Sequence, residues 1–230
     1  MQELQAILKK HKNNFYQVVS LGETIRVAPL DLSVSNTDLS LDIFNDIQLF
    51  SAWIDEQRIK EDAGYLIGGY NENRAMYRRS TLFDASLDLD DEPRSLHLGM
   101  DIWADAGTKI YAPMDSIVHS FAFNNQHGDY GATIILQHQL EDNIFYTLYG
   151  HLSLEDIQLL KNGQPITRGD EIARFGSPEE NGNWPPHLHF QVIADIGTNQ
   201  GDYPGVCKLS EAGSYLQNCP DPELIFHPFG

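Results

Sequence analysis

The stretch Pro185-Pro186-His187-Leu188-His189-Phe190-Gln191-Val192 most constrains what this chain can fold into. Two prolines interrupt any helix, and strict alternation of apolar and polar residues follows. At the two-residue period of a β-strand, Leu188, Phe190 and Val192 share one face and His187, His189 and Gln191 the other. The apolar face demands a core. The opposite face carries two imidazoles about 7 Å apart, the span of two strand residues. Solvated histidines on a polar face would satisfy this pattern. A divalent metal held by one histidine, with a proton-handling role for the other, satisfies it too.

From residue 97 onward the texture around this strand is uniform. Short alternating or apolar runs are punctuated by Gly, Pro, Asn and Asp: Asp101–Trp103, Ser116–Phe123, Ala132–His138, Ile144–Tyr149, Glu171–Phe175 and His187–Ala194. Such spacing predicts a mainly β, antiparallel domain. Asn162-Gly163 and Arg168-Gly169-Asp170 supply turn chemistry, and Leu154–Leu160 reads as a short helix.

The first part of the chain reads differently, as an α/β region. Leu4, Ile7 and Leu8 mark one side of a short amphipathic helix, and Phe15–Val19 reads as a strand. Ile43, Phe44, Ile47, Phe50, Trp53 and Ile54 recur at helical steps to about Lys60, with Asn36, Thr37 and Asp38 as capping candidates. That aromatic stripe is expected to be core. Gly68-Gly69 opens a dense polar cluster, Tyr70-Asn71-Glu72-Asn73-Arg74, expected in a loop. Residues 75–96 are charged and poorly periodic, including Asp88-Leu89-Asp90-Asp91-Glu92-Pro93, which places a boundary there. The expected division is an N-terminal α/β region over residues 1–90, packed on or over a main domain over 91–200. A loop-rich extension over 201–230 follows. The length of 230 residues suits that arrangement.

Charge narrows the partners. With 15 Lys+Arg against 33 Asp+Glu the net charge is −18, which argues against nucleic acid, anionic membranes and anionic wall polymers. No run of 18 apolar residues exists. The opening Met1-Gln2-Glu3-Leu4 lacks the basic start and long apolar run of a signal peptide, so the expected compartment is the cytoplasm. Cys207 and Cys219 form no zinc-type cluster and are expected as free, buried thiols.

Two further elements complete the histidine strand. His97-Leu98-Gly99-Met100-Asp101 sets an imidazole and a carboxylate four apart, in a loop entering a strand. Added to a histidine of the His187/His189 pair they make a two-histidine, one-aspartate set. Three protein ligands with a fourth position open is the pattern of catalytic rather than structural zinc. Phe145-Tyr146-Thr147-Leu148-Tyr149-Gly150-His151 is the other element. Alternation puts Phe145, Thr147, Tyr149 and His151 on one face, with His151 at the strand end, where side chains project into clefts.

His97-x-x-x-Asp101, then Tyr149-Gly150-His151-Leu152-Ser153, then His187-Leu188-His189, in this order, resemble the lysostaphin/LytM-type zinc metallopeptidases over roughly residues 95–195. Gly107–Pro113 and Ile166–Ala173 resemble that family's turns before later strands. The resemblance implies a small antiparallel β-domain with an active-site groove and one zinc ion held by His97, Asp101 and His189. His151 and His187 would be the catalytic histidines. It also implies hydrolysis of peptide or amide bonds, with a peptide or peptide-like substrate, a role for family members mostly in bacterial cell walls. Zinc polarises a carbonyl and lowers the pKa of its water toward about 7. With no HExxH glutamate, a histidine must serve as base. Which of His151 and His187 does so stays open.

The absence of an export signal and the acidity set this chain apart from wall hydrolases. Its flanking regions are similar to a branch fused to cytosolic aminotransferase-type enzymes, which would make the substrate a small cytoplasmic peptide or amide. A second class of function is a regulatory or binding protein that keeps its metal and recruits a partner. Intact His151 and His187 favour the hydrolase. The Gly68–Arg74 loop is expected to reach the groove as a substrate-binding element. In one version Arg74 clamps an anionic group through its planar fork. In another Asn71 fills zinc's open position. An ordinary loop is the third. His138 is expected at the surface.

Overall fold

The computed structural model describes residues 2–22, 25–74, 76 and 92–229. In chain order the elements are α1 (Gln2–Lys10), β1 (Val27–Leu30), α2 (Leu41–Asn45), α3 (Ile47–Lys60), β2 (Tyr65–Gly68), β3 (Leu96–His97), β4 (Met100–Trp103) and β5 (Lys109–Tyr111). There follow β6 (Ser116–Asn124), β7 (Gly131–Leu140), β8 (Asn143–Leu152), α4 (Leu154–Ile157), β9 (Pro165–Ile166), β10 (Glu171–Arg174), β11 (His187–Ile193), β12 (Val206–Cys207) and α5 (Ala212–Asn218). Eight strands form one sheet in the order β1-β2-β4-β11-β8-β7-β6-β9, and β10-β5 and β12-β3 form two small ribbons. Only β1 and β2 run parallel within the large sheet; its other pairs are antiparallel. The fold is mainly β, as the strand texture predicts.

The histidine strand β11 is fourth in that order, between β4 and β8. Its apolar face does what alternation requires. Leu188, Phe190 and Val192 join Met100, Ile102 and Tyr149 in the largest core cluster. The other face carries His187, His189 and Gln191 and is covered by two further clusters, one with Phe44 and Phe50 and one with Leu96, Tyr203 and Cys219.

Two strands come from the N-terminal region and were not legible as such. Tyr65-Leu66-Ile67-Gly68 is buried throughout. Tyr65 and Ile67 point into the main core and Leu66 into a second one, so both faces are covered and no alternation survives. Phe15–Val19, expected as a strand, makes only an isolated bridge between Val19 and Ile110. Val18 and Val19 are buried core residues, but the neighbouring hydrogen bonds, Tyr111 N to Val18 O and Tyr16 N to Pro113 O, form no ladder.

The expected long helix is two helices, α2 and α3, separated at Asp46, whose backbone is extended (φ −114°, ψ 113°). The Asp46 carboxylate accepts from Gln48 N at 2.8 Å and Leu49 N at 3.2 Å, two of the first unpaired N–H groups of α3. Ser40 caps α2 by accepting from Ile43 N. The caps are therefore Ser40 and Asp46, not Asn36–Asp38. The aromatic stripe is core: Phe44, Phe50 and Ile54 pack with Leu66, Trp103 and Trp184.

The expected boundary near residue 90, with most of the Asp88–Pro93 run, falls on residues 77–91, outside the described residues. Among the described residues no helix is long and apolar enough to cross a membrane. Cys207 and Cys219 are free and buried. Burial pushes their thiols up, to about 11 and about 12.

Candidate metal centre

Register across two strands assembles the centre. His189 on β11 lies opposite Asp101 on β4, and His187 lies opposite Trp103. Asp101 and Trp103 point to the face of His187 and His189, because Met100 and Ile102 point to the core. His97 arrives from β3, and the Leu98-Gly99 turn folds it over His189. His97 Nε2 lies 2.9 Å from His189 Nδ1 and 3.3 Å from Asp101 Oδ1. His189 Nδ1 lies 3.2 Å from the same carboxylate oxygen. These three side chains are the group of potential metal ligands found among the described residues. A tetrahedral ion with bonds near 2.0–2.1 Å has ligand atoms about 3.3 Å apart. Two imidazole nitrogens and one carboxylate oxygen at 2.9–3.3 Å fit that donor set.

Each imidazole has its tautomer set by the partner of its other nitrogen. A carbonyl oxygen only accepts, so His97 Nδ1 donates to Gly69 O at 2.9 Å and leaves the Nε2 lone pair for the centre. Gln191 Nε2 donates to Pro204 O at 3.2 Å, which turns the amide oxygen toward His189. His189 Nε2 then donates to Gln191 Oε1 at 2.8 Å, and its Nδ1 lone pair faces the centre. Burial and the Arg74 guanidinium push the His97 pKa down to about 4. Burial alone would raise the Asp101 carboxyl. The neighbouring His97 ring and the Arg74 guanidinium hold it well below the usual carboxylate range. A neutral imidazole beside an ionised carboxylate is the protonation state that binds a metal.

His151 and His187 sit beside the ligands with ring centroids 4.1 Å apart. Burial pushes His187 down to about 4 and His151 well below the ordinary histidine value. His187 Nδ1 donates to Pro185 O at 2.8 Å, and His151 Nδ1 to Asn181 O at 2.8 Å. Both are neutral, with Nε2 lone pairs uncommitted by those bonds. His187 stacks on Trp103 at 3.9 Å and 14°, which fixes its ring plane.

His151 reaches this face by a route that alternation does not predict. Phe145, Thr147 and Tyr149 do share a face, but it is the opposite one: Phe145 and Tyr149 lie in the main core. Between the pairs Ala132–Leu152 and Ile134–Tyr149 the register slips, so Gly150 and His151 together oppose Thr133. At this bulge His151 adopts φ +63°, a left-handed conformation that costs free energy in a non-glycine residue. The bulge turns His151 over to the side of His187. Its N–H to Tyr130 O (2.7 Å) and its carbonyl to Gly176 N (2.9 Å) hold the conformation.

All five residues line one cavity of about 860 Å3 including its mouth. Arg74 lines it as well, whereas Asn71 is exposed and does not. Arg74 is buried, with Nη1 on Asp101 Oδ2 and Nε on Glu72 Oε2, both at 2.5 Å. Sequence reasoning missed Gly69, Trp103, Asn181 and the role of Gln191. Of these only Gln191 carried a signal, being next in register to His187 and His189 on the same strand face. His138, expected at the surface, is buried: Nε2 lies 2.7 Å from Thr147 Oγ1 and the ring stacks on Phe145.

The sequence profile of peptidase family M23 matches residues 95–201. The chain is 29% identical over 139 residues to the peptidoglycan DD-endopeptidase ShyC of Vibrio cholerae serotype O1, covering 55% of this chain and 30% of that protein. It is 38% identical over 95 residues to the uncharacterized lipoprotein YgeR of Escherichia coli strain K12, covering 41% of this chain and 33% of that protein. The chain thus spans about a third of the length of these curated relatives. Among solved structures, a zinc-containing peptidase from Vibrio cholerae aligns with a TM-score of 0.35 and 30% identity, over 43% of this chain and 27% of that one. Residues 95–201, the stretch that matches the profile of peptidase family M23, hold His97, Asp101, His151, His187 and His189.

Proposed function

We propose that this protein is a zinc-dependent hydrolase of peptide bonds, with His97 Nε2, Asp101 Oδ1 and His189 Nδ1 holding one ion and His151 and His187 acting in catalysis. The observation that carries the reading is the meeting of those three ligand atoms with two neutral, tautomer-fixed imidazoles in one cavity. Bound zinc would supply Lewis acidity toward the scissile carbonyl and its water. This chain's own residues supply the rest. The unprotonated Nε2 of one histidine takes a proton from the attacking water, and that imidazole, now protonated, can hydrogen-bond the developing oxyanion or return the proton to the leaving amine. Trp103, Pro185 and Asn181 keep both rings oriented, which limits the reorganisation each step requires. A complete set of five favours hydrolysis over a metal-retaining binding protein.

One relative's name is peptidoglycan DD-endopeptidase and the other's is lipoprotein, so cell-wall stem peptides are the first substrates to offer. Those names support action at the envelope rather than in the cytoplasm expected from the first residues. Purified protein should carry about one equivalent of zinc, and His189→Ala and Asp101→Ala should lose it. His151→Ala and His187→Ala should keep the metal and lose about 10²–10⁴-fold in rate on those peptides. Normal zinc in both ligand variants, or parental turnover in both histidine variants, would refute the assignment.

A further inference from the structure

Residues 69–74 lie outside the stretch matched by the family profile, yet they touch two of the three ligand residues. The segment is fastened along β3: Asn71 N donates to His97 O and His97 N donates to Glu72 O, both at 2.9 Å. Gly69 O takes the Nδ1 proton of His97. Arg74 reaches beneath the site and is 1% exposed. Its room is made by Gly68, where a Cβ would stand 3.2 Å from Arg74 Nη2. Glu72 is anchored in turn, accepting from Leu32 N at 3.2 Å.

The two oxygens of Asp101 are thereby given different work. Oδ1 faces His97 Nε2 and His189 Nδ1, and Oδ2 is taken by Arg74 Nη1. A carboxylate with one oxygen held by a planar guanidinium offers a metal only the other. We propose that Arg74 is a positioning residue of the metal centre, holding Asp101 in a one-oxygen geometry, and that the segment 69–74 is part of that centre. The inference rests on the zinc reading above. It departs from a substrate clamp, since Nε and Nη1 of Arg74 are already taken by Glu72 and Asp101.

The test uses the full chain with zinc and cobalt as probes. Zinc affinity is read by competition with a chromogenic chelator in the parent, Arg74→Met and Arg74→Lys. Arg74→Met should bind zinc about 10–100-fold more weakly. Arg74→Lys should fall between the two, because an ammonium keeps the charge but cannot span Glu72 and Asp101. The cobalt(II) spectrum supplies a readout that a structural role would not move. In the parent the bands should be those of a four-coordinate ion. In the variants a freed Asp101 chelates through both oxygens, the coordination number rises and the bands weaken. If Arg74→Met does not fold, Arg74→Lys decides. A parent that binds zinc while the folded variants bind it within about twofold, with the parental cobalt spectrum, overturns the inference alone. A parent that binds neither metal overturns the zinc reading, and this inference with it.

Discussion

A single methyl group added at Gly99 would lie 2.5 Å from Cε1 and Nε2 of His189 and 2.9 Å from Phe190 O. His189 cannot yield on one side, because Gln191 and Tyr130 close the other. Gly99→Ala is therefore expected to push His189 out of line with His97 and Asp101. Overpacking of this kind typically costs about 1–3 kcal/mol. Metal analysis should find zinc occupancy reduced, alongside a lowered melting temperature; unchanged occupancy would show that the β3–β4 turn shifts to absorb the methyl. The meeting of His97, Asp101 and His189 was legible at this scale, because two-residue alternation on β11 and the four-residue step from His97 to Asp101 both survive folding. The packing need for Gly99 was not, since nothing in the order of residues shows that the turn folds over a partner 90 residues away. His151 was put on the wrong face, because a bulge is one extra residue with no sequence mark beyond Gly150. His138 was misread because its partner, Thr147, lies across a strand pair whose register was unknown.

At the scale of elements, α3 links the N-terminal region to the histidine face of the sheet. Phe50 packs edge-on against Trp103 at 5.8 Å, and Trp103 stacks on His187. The position of α3 is therefore communicated to an imidazole plane through two rings. The helix starts at Asp46, whose carboxylate caps two backbone N–H groups from an exposed position. Asp46→Ala should cost about 1 kcal/mol, a fall of a few degrees in melting temperature for a chain of this size. Zinc content should not change, because no ligand rests on the cap. A fall below one degree would mean that tertiary contacts of Phe50 and Ile54, rather than the cap, set where α3 begins. The helix and its buried stripe were legible from periodicity, but the break was not: Asp46 fits a helical pattern until its side chain is seen bonding to Gln48 and Leu49. Likewise β1 and β2 carry no alternation, since a strand covered on both faces has none to show.

At the scale of the molecule, the sheet face gathers buried neutral imidazoles in a protein with a net charge of −18. Burial pushes His97, His138 and His187 down to about 4 and His151 well below the ordinary histidine value. In the unfolded chain each titrates near 6.5. Between about pH 6.5 and 4 the unfolded chain binds protons that the folded one refuses. Each such histidine therefore contributes stability that is complete above pH 6.5 and is lost as the pH falls toward 4. Asp129, which burial raises to about 6, works in the opposite sense. Its contribution is complete below its unfolded value near 3.8 and fades as the pH rises through 6, so it offsets part of the histidine effect. His138 isolates one imidazole, because it sits on the core side of the sheet with Thr147 and Phe145, away from the metal ligands. Its share is on the order of 3 kcal/mol between pH 7.5 and pH 4. His138→Gln keeps a donor for Thr147 Oγ1 and removes the titration. Urea unfolding of zinc-free protein at pH 7.5 and pH 4.5 should show the parent losing more stability between the two than the variant does. An equal loss in both would mean that His138 is protonated in the folded state and that the acid sensitivity of the fold comes from other groups.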